Sequence, residues 1–161
     1  MDIWTERLAV RHLPCLARWL DRADAALTEN DLPSTAAELE TWYAESAAEP
    51  GRLDCLVSVY ETPVGLASLR RQSESAETAA LSLLLGERGY NPSRTATYAA
   101  LRMLDRAFLE LGMVRVNIQI CPGHPWFAEV LERMGFAPAA TDGRTALAVA
   151  REDYMSRKHL F

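Results

Sequence analysis

Long apolar runs are missing from this 161-residue sequence, and no stretch approaches the roughly 18 residues that a membrane-spanning helix requires. The opening MDIWTERLAV has no basic start followed by an apolar stretch, so no secretory signal is expected and the cytoplasm is the expected compartment. Cysteine is scarce. Cys15, Cys55 and Cys121 stand far apart among apolar neighbours, with no CxxC and no Cys/His cluster, so neither a zinc site nor any other metal is expected. Free thiols in such surroundings behave as small hydrophobes, and inert burial is the expected role. An excess of positive charge is also lacking. The formal net charge of −5 is the wrong sign for the basic face of a nucleic-acid binder, and no such partner is expected. Acidic loops could draw in an amine, although many proteins carry such a charge for solubility alone.

What is present fits a globular chain: 49% hydrophobic and 24% charged residues, with a length that suits one domain over 1–161. Residues 4–11 read as a first strand. Leu13, Leu16 and Leu20 then recur at helical spacing behind Pro14. The polar stretch DRADAALTENDLP reads as a loop with a short helical turn. Thr35 and Glu38 stand at capping-box spacing before a second helix carrying Leu39, Trp42 and Tyr43. The period then changes. LDCLVSVY and VGLASLRR alternate about ETP as a hairpin, and TAALSLLLG reads as a strand buried on both faces. In the strongest helix, Leu101, Leu104, Phe108 and Leu111 form a stripe that Gly112 is placed to end. VRVNIQIC alternates, a fourth helix follows Pro125, and Asp142-Gly143 marks a hairpin before the strand TALAVA. The basic tail SRKHLF, with His159, reads as a solvated end. The order β-α-α-β-β-β-α-β-α-β implies a mixed sheet covered on both faces.

Three stretches resemble the GNAT superfamily of N-acyltransferases, closest to its ribosomal-protein N-terminal branch: TERLAVRHL, LSLLLGERGYNPSRTATYAALRMLDRAF and CPGHPWFAEVLERMGF. The resemblance implies an α/β GNAT fold with six to seven strands and about four helices. It also implies acetyl-CoA as co-substrate, a primary amine as acceptor and, as in many relatives, a homodimer. In that family the strand before the strongest helix pairs its main chain with the pantetheine arm, a role that falls here to Leu83, Leu84 and Leu85. A backbone N–H of the same strand, here about Leu84, polarises the thioester carbonyl. The pyrophosphate loop corresponds to Asn91–Thr97, and His124 and Phe127 occupy a second donor-facing segment.

A helix N-terminus suits an anion because its first N–H groups are unpaired and its dipole is positive there. The family's loop reads R/Q-x-x-G-x-G/A, whereas the matching residues here are Asn91, Pro92, Ser93, Arg94, Thr95 and Ala96. Only Ala96 fits the pattern well. Pro92 removes a donor. Arg94 has two functional readings, a charge-assisted bond to phosphate or a side chain that fills the groove; a third is a solvated loop residue. The corresponding functions stay open: an N-acetyltransferase, an enzyme using another acyl donor, or a non-catalytic binding module.

An attacking amine must lose a proton, so a base is needed. The candidates are His124, Glu87, Tyr90 and Glu77. Imidazole titrates near neutrality, which favours His124, although the same residue could simply cap the helix after it. Leu131 stands where other family members place a general-acid Tyr, so the thiolate has no assigned proton donor. Trp19, Trp42 and Tyr43 fall on apolar helical faces and read as core. The resemblance also makes Trp42 and the 21–33 loop, with Asp24, Glu29 and Asp31, the expected wall of an acceptor pocket.

Overall fold

The computed structural model describes residues 2–22, 24–72, 77–139 and 146–161. Strand β1 (Ile3–Arg7) leads through α1 (Leu13–Trp19) and α2 (Leu39–Ala48) to β2 (Arg52–Val59), β3 (Thr62–Arg71) and β4 (Thr78–Leu85). Helix α3 (Pro92–Asp105) crosses to β5 (Arg115–Gln119). Then come α4 (Pro125–Arg133), β6 (Ala137–Pro138), β7 (Ala146–Ala150) and α5 (Arg151–Arg157). The seven strands lie in the order β1-β2-β3-β4-β5-β7-β6. All neighbours are antiparallel except β4 with β5, which is the pair that α3 joins as a crossover. The expected mixed α/β sheet is therefore present. The Asp142-Gly143 turn lies outside the described residues.

Alternation along the strands sorts side chains onto two faces. Cys55, Val57, Ala67 and Leu83 join the larger core under α3 and α4, while Leu56, Leu66 and Leu84 pack with Leu16, Trp19 and Trp42 of α1 and α2. Burial pushes the Cys55 thiol up to about 11, so this cysteine is inert packing.

Three local expectations need correction. The stripe on α3 holds as far as Phe108 but fails at Leu111, which is 45% exposed. Arg106–Glu110 form a π turn there, and its wider winding rotates later residues off the helical face. Thr35 does not close a capping box; its hydroxyl donates to the Glu38 carboxylate at 2.8 Å. Nothing in the apolar pattern announces α5, which buries Tyr154 against Phe108 and bonds its hydroxyl to Asp105 at 2.7 Å.

The most consequential feature is the β4–β5 seam. The two strands pair only from Thr78 to Ala80 against Arg115 to Asn117. Beyond that they part, and residues 25–29, expected as a loop with a helical turn, run extended between them. Leu27 N–H donates to Leu83 O (3.0 Å), and Leu85 N–H donates to Ala25 O (2.9 Å). On the other side, Cys121 N–H donates to Leu27 O (3.0 Å) and Glu29 N–H to Gln119 O (2.9 Å). Leu83 N–H is taken up by the Thr28 hydroxyl at 2.9 Å.

Beyond this bridge, Asp31 is fixed by Arg52, whose guanidinium donates twice to it at 2.5 and 2.7 Å, and by Trp42 Nε1 at 3.3 Å. Arg52 also holds Asp54, which accepts from Ser68 at 2.5 Å. The hydrogen bonds from Arg52 hold the Asp31 carboxyl below its ordinary value. A lowered folded-state value means that the ion pair's contribution is present in full above about pH 4, where an unfolded Asp titrates, and is lost as pH falls through Asp31's own lower value. Asp31 is partly exposed, so Asp31→Asn should cost no more than about 1 kcal/mol near pH 7. In urea titrations the gap between wild type and variant should shrink as the pH is lowered from 7 to 2; a constant gap would contradict this.

Candidate active site

A pocket of about 340 Å³ opens where β4 and β5 have parted. Its walls come from four places: Leu85 at the end of β4, Leu27 of the bridging segment, Thr95 in the first turn of α3, and His124 and Trp126 at the start of α4. Tyr90, Arg22, Asp24, Glu87 and Arg88 close its rim.

The first turn of α3 is arranged differently from an open phosphate cradle. Asn91 caps it: its Oδ1 accepts Arg94 N–H at 3.0 Å, and its carbonyl accepts Thr95 N–H at 3.0 Å. Pro92 has no N–H to give. The Ser93 N–H is what remains for a ligand in that turn. Arg94 does not fill the groove; its guanidinium lies over the Tyr98 ring, 5.9 Å from the centroid, and Arg94 is exposed. Ala96 is core, and Thr97 donates its hydroxyl to Ser93 O at 2.7 Å. Thr95 is different. It is 1% exposed and walls the pocket, yet its hydroxyl has no partner among the described residues. A buried polar atom of this kind calls for a ligand group, because leaving it unmet costs about 1–3 kcal/mol.

The main-chain roles expected of β4 change more. Leu83 and Leu85 already spend their seam-facing groups on residues 25–28. Leu84 turns its peptide groups the other way, opposite Leu66 of β3 with its carbonyl against Gly65. A thioester carbonyl in the seam therefore does not meet the Leu84 N–H. The side chain of Phe127 is fully buried in the core, as is that of Leu131, so neither faces a donor.

Among the proton-transfer candidates, Glu87 accepts from Trp19 Nε1 at 2.9 Å and Arg18 at 3.1 Å. The Trp19 bond, with help from Arg18 and Arg22, holds its carboxyl below the ordinary range, which suits an anchor rather than a base. Gly86 beside it has no room for a side chain, because a Cβ there would overlap the Trp19 indole. Glu77 stands at the opposite end of β4 from the pocket, some eight residues or about 25 Å away. His124 and Tyr90 both reach the pocket. His124 occupies the N-cap position of α4 without making a side-chain cap bond, and its ring meets Trp126 edge-on at 6.0 Å. The reading of His124 as a cap is thus set aside.

The acidic loop is less free than its composition suggests. Asp31 is held by Arg52 and Arg70, and Asp24 lies 3.6 Å from Arg88. Trp42 packs in the second core away from this pocket. Trp126 escaped sequence reasoning; Arg22 and Thr28 lie in the 21–33 loop expected to wall an acceptor pocket but were not singled out there, since an Arg among loop charges and a Thr in a polar stretch carry no distinguishing pattern. No cluster of His, Cys, Asp and Glu suited to a metal occurs among the described residues, and no helix there is long and apolar enough to cross a membrane.

Comparisons with known proteins agree on the architecture. The spermidine N-acetyltransferase of Vibrio cholerae, solved in complex with CoA and spermine, superposes with a TM-score of 0.80 at 15% identity, over 95% of this chain and 98% of that one. A chimera of that enzyme with hSSAT gives 0.81 at 15% identity, over 98% and 100%. A protein of T. thermophilus gives 0.75 at 20% identity, over 99% and 92%. At such identities the likeness is one of fold. No curated protein matches the chain in sequence. The family model described as "Acetyltransferase (GNAT) domain" matches residues 6–137, and the chain therefore belongs to the GNAT acetyltransferase family, whose members are acyl-CoA-dependent N-acyltransferases.

Proposed function

We propose that residues 1–161 act as one domain that moves an acetyl group from acetyl-CoA to the primary amine of a small molecule or a peptide N-terminus. The observation that carries this reading is the pocket at the first turns of α3 and α4, whose lining His124 and Tyr90 share with the buried Thr95, a hydroxyl without a partner among the described residues. The structurally similar enzyme of Vibrio cholerae is a spermidine N-acetyltransferase solved with CoA and spermine, which is in keeping with an amine acceptor here. Ser93 N–H and the α3 dipole would hold the pyrophosphate, with Arg94 free to swing to it. His124 would take the proton from the attacking amine as the carbon–nitrogen bond forms. Tyr90 would give its proton to the departing thiolate as the carbon–sulfur bond breaks, and would regain it from solvent. Orientation in the pocket supplies much of the remaining rate.

The narrowed cradle and the occupied edge of β4 favour a second reading, in which another acyl donor is used or the pocket binds without catalysis. Titration calorimetry with acetyl-CoA, beside a pantetheine control lacking the pyrophosphate, separates the two. Micromolar, pyrophosphate-dependent binding with thiol release on adding an amine is expected. Absence of binding at millimolar acetyl-CoA would sink the acetyltransferase reading.

Two variants refine it. His124→Gln should lower kcat by about 100-fold or more, the usual scale for loss of a general base, with KM for acetyl-CoA little changed. An unchanged kcat would remove His124 from the chemistry. Asn91→Ala should cost about 1 kcal/mol of stability through loss of the cap. It also frees Arg94 N–H for phosphate, so acetyl-CoA affinity should rise; a fall would show that the capped turn is the binding form.

A further inference from the structure

Charge at the rim of the pocket is not balanced residue by residue. Glu87 is answered by Arg18 and Trp19, and Asp24 by Arg88. Arg22 also walls the pocket, and its charge helps keep Glu87 ionised, but its Nη1 is buried with no hydrogen-bond partner among the described residues. Thr95 Oγ1, in the same pocket, is likewise buried without a partner among the described residues. A guanidinium N–H can only donate, so Arg22 requires an acceptor. A carboxylate satisfies it best, since charge-assisted bonds are the shorter and stronger class.

We propose that Arg22 recognises a carboxylate on the substrate that fills this pocket, with Thr95 hydrogen-bonding to a neighbouring oxygen. The inference rests on the acyl-transfer reading and narrows it. The carboxylate belongs either to the acceptor, an amino acid or similar amino-carboxylate, or to a dicarboxylic acyl group on the thioester. A polyamine is disfavoured because the group left over at the rim is a cation and the neighbouring acids already have partners.

Two pairs of probes distinguish the sources. In the acceptor arm, β-alanine is titrated against propylamine, amines of similar basicity that differ in the carboxylate. In the donor arm, succinyl-CoA is titrated against acetyl-CoA. Both arms are read by calorimetry and by kcat/KM, on wild type, Arg22→Gln and Arg22→Lys, with circular dichroism confirming that each variant folds. A preference for the carboxylate in one arm is expected. It should fall by roughly 10–100-fold in Arg22→Gln, the range for loss of a charged hydrogen bond, and return in part in Arg22→Lys. Equal affinity within both pairs, or a preference that Arg22→Gln leaves intact, overturns the proposal. If neutral amines are then acetylated, acyl transfer stands without it. If neither thioester binds, the acyl-transfer reading fails, and the acceptor titration, which needs no thioester, still decides the role of Arg22.

Discussion

Everything around the pocket depends on the separation of two parallel strands. Peptide groups on a strand that has lost its neighbour must find other partners or pay for dehydration. Here β4 and β5 part after three register pairs, and residues 25–29 supply the missing partners on both sides. The link between α1 and α2 thereby becomes part of the sheet. Its position brings Arg22 and Leu27 to the pocket and carries Asp31 to Arg52. It also means that a donor arm cannot pair with Leu83 and Leu85 while those bonds persist.

The same region shows how much a single polar contact can organise. Glu87 stands at the junction of α1, the end of β4 and the rim of the pocket, joined to Arg18 and Trp19. Trp19 is fully buried, so its indole N–H needs an acceptor. The carboxylate provides one, and the first helix is fastened to the site by that bond. A carboxylate with the position of a base is thus held ionised as a structural anchor, while His124 and Tyr90 also line the pocket.

Strands and helices with a clean period were legible from the residues alone. Alternation in LDCLVSVY and VRVNIQIC, and the alanine- and leucine-rich face of α3, reflect local geometry acting on side chains that must be buried. The bridging segment was not legible, because its conformation is set by hydrogen bonds to residues some 55 to 95 positions away and its own sequence is polar and mixed. The π turn was equally hidden, since one extra residue in a turn leaves no compositional mark. At the site, the places of His124 and Thr95 were read from helix starts and that of Tyr90 from the turn-rich loop before α3. The expectation for Leu84 did not survive, because which way a peptide group points depends on the partner strand.

Trp19 and Gly86 occupy one volume between them. The indole lies where a side chain at position 86 would begin, so the smallness of one residue is the counterpart of the bulk of the other. Changes at the two positions are conditional on each other: a larger residue at 86 becomes admissible only after 19 has shrunk, and that first step passes through a loosened core. In descent from a common ancestor the two positions would therefore behave as one inherited character, and a chain that differs at 86 should be inspected first at 19.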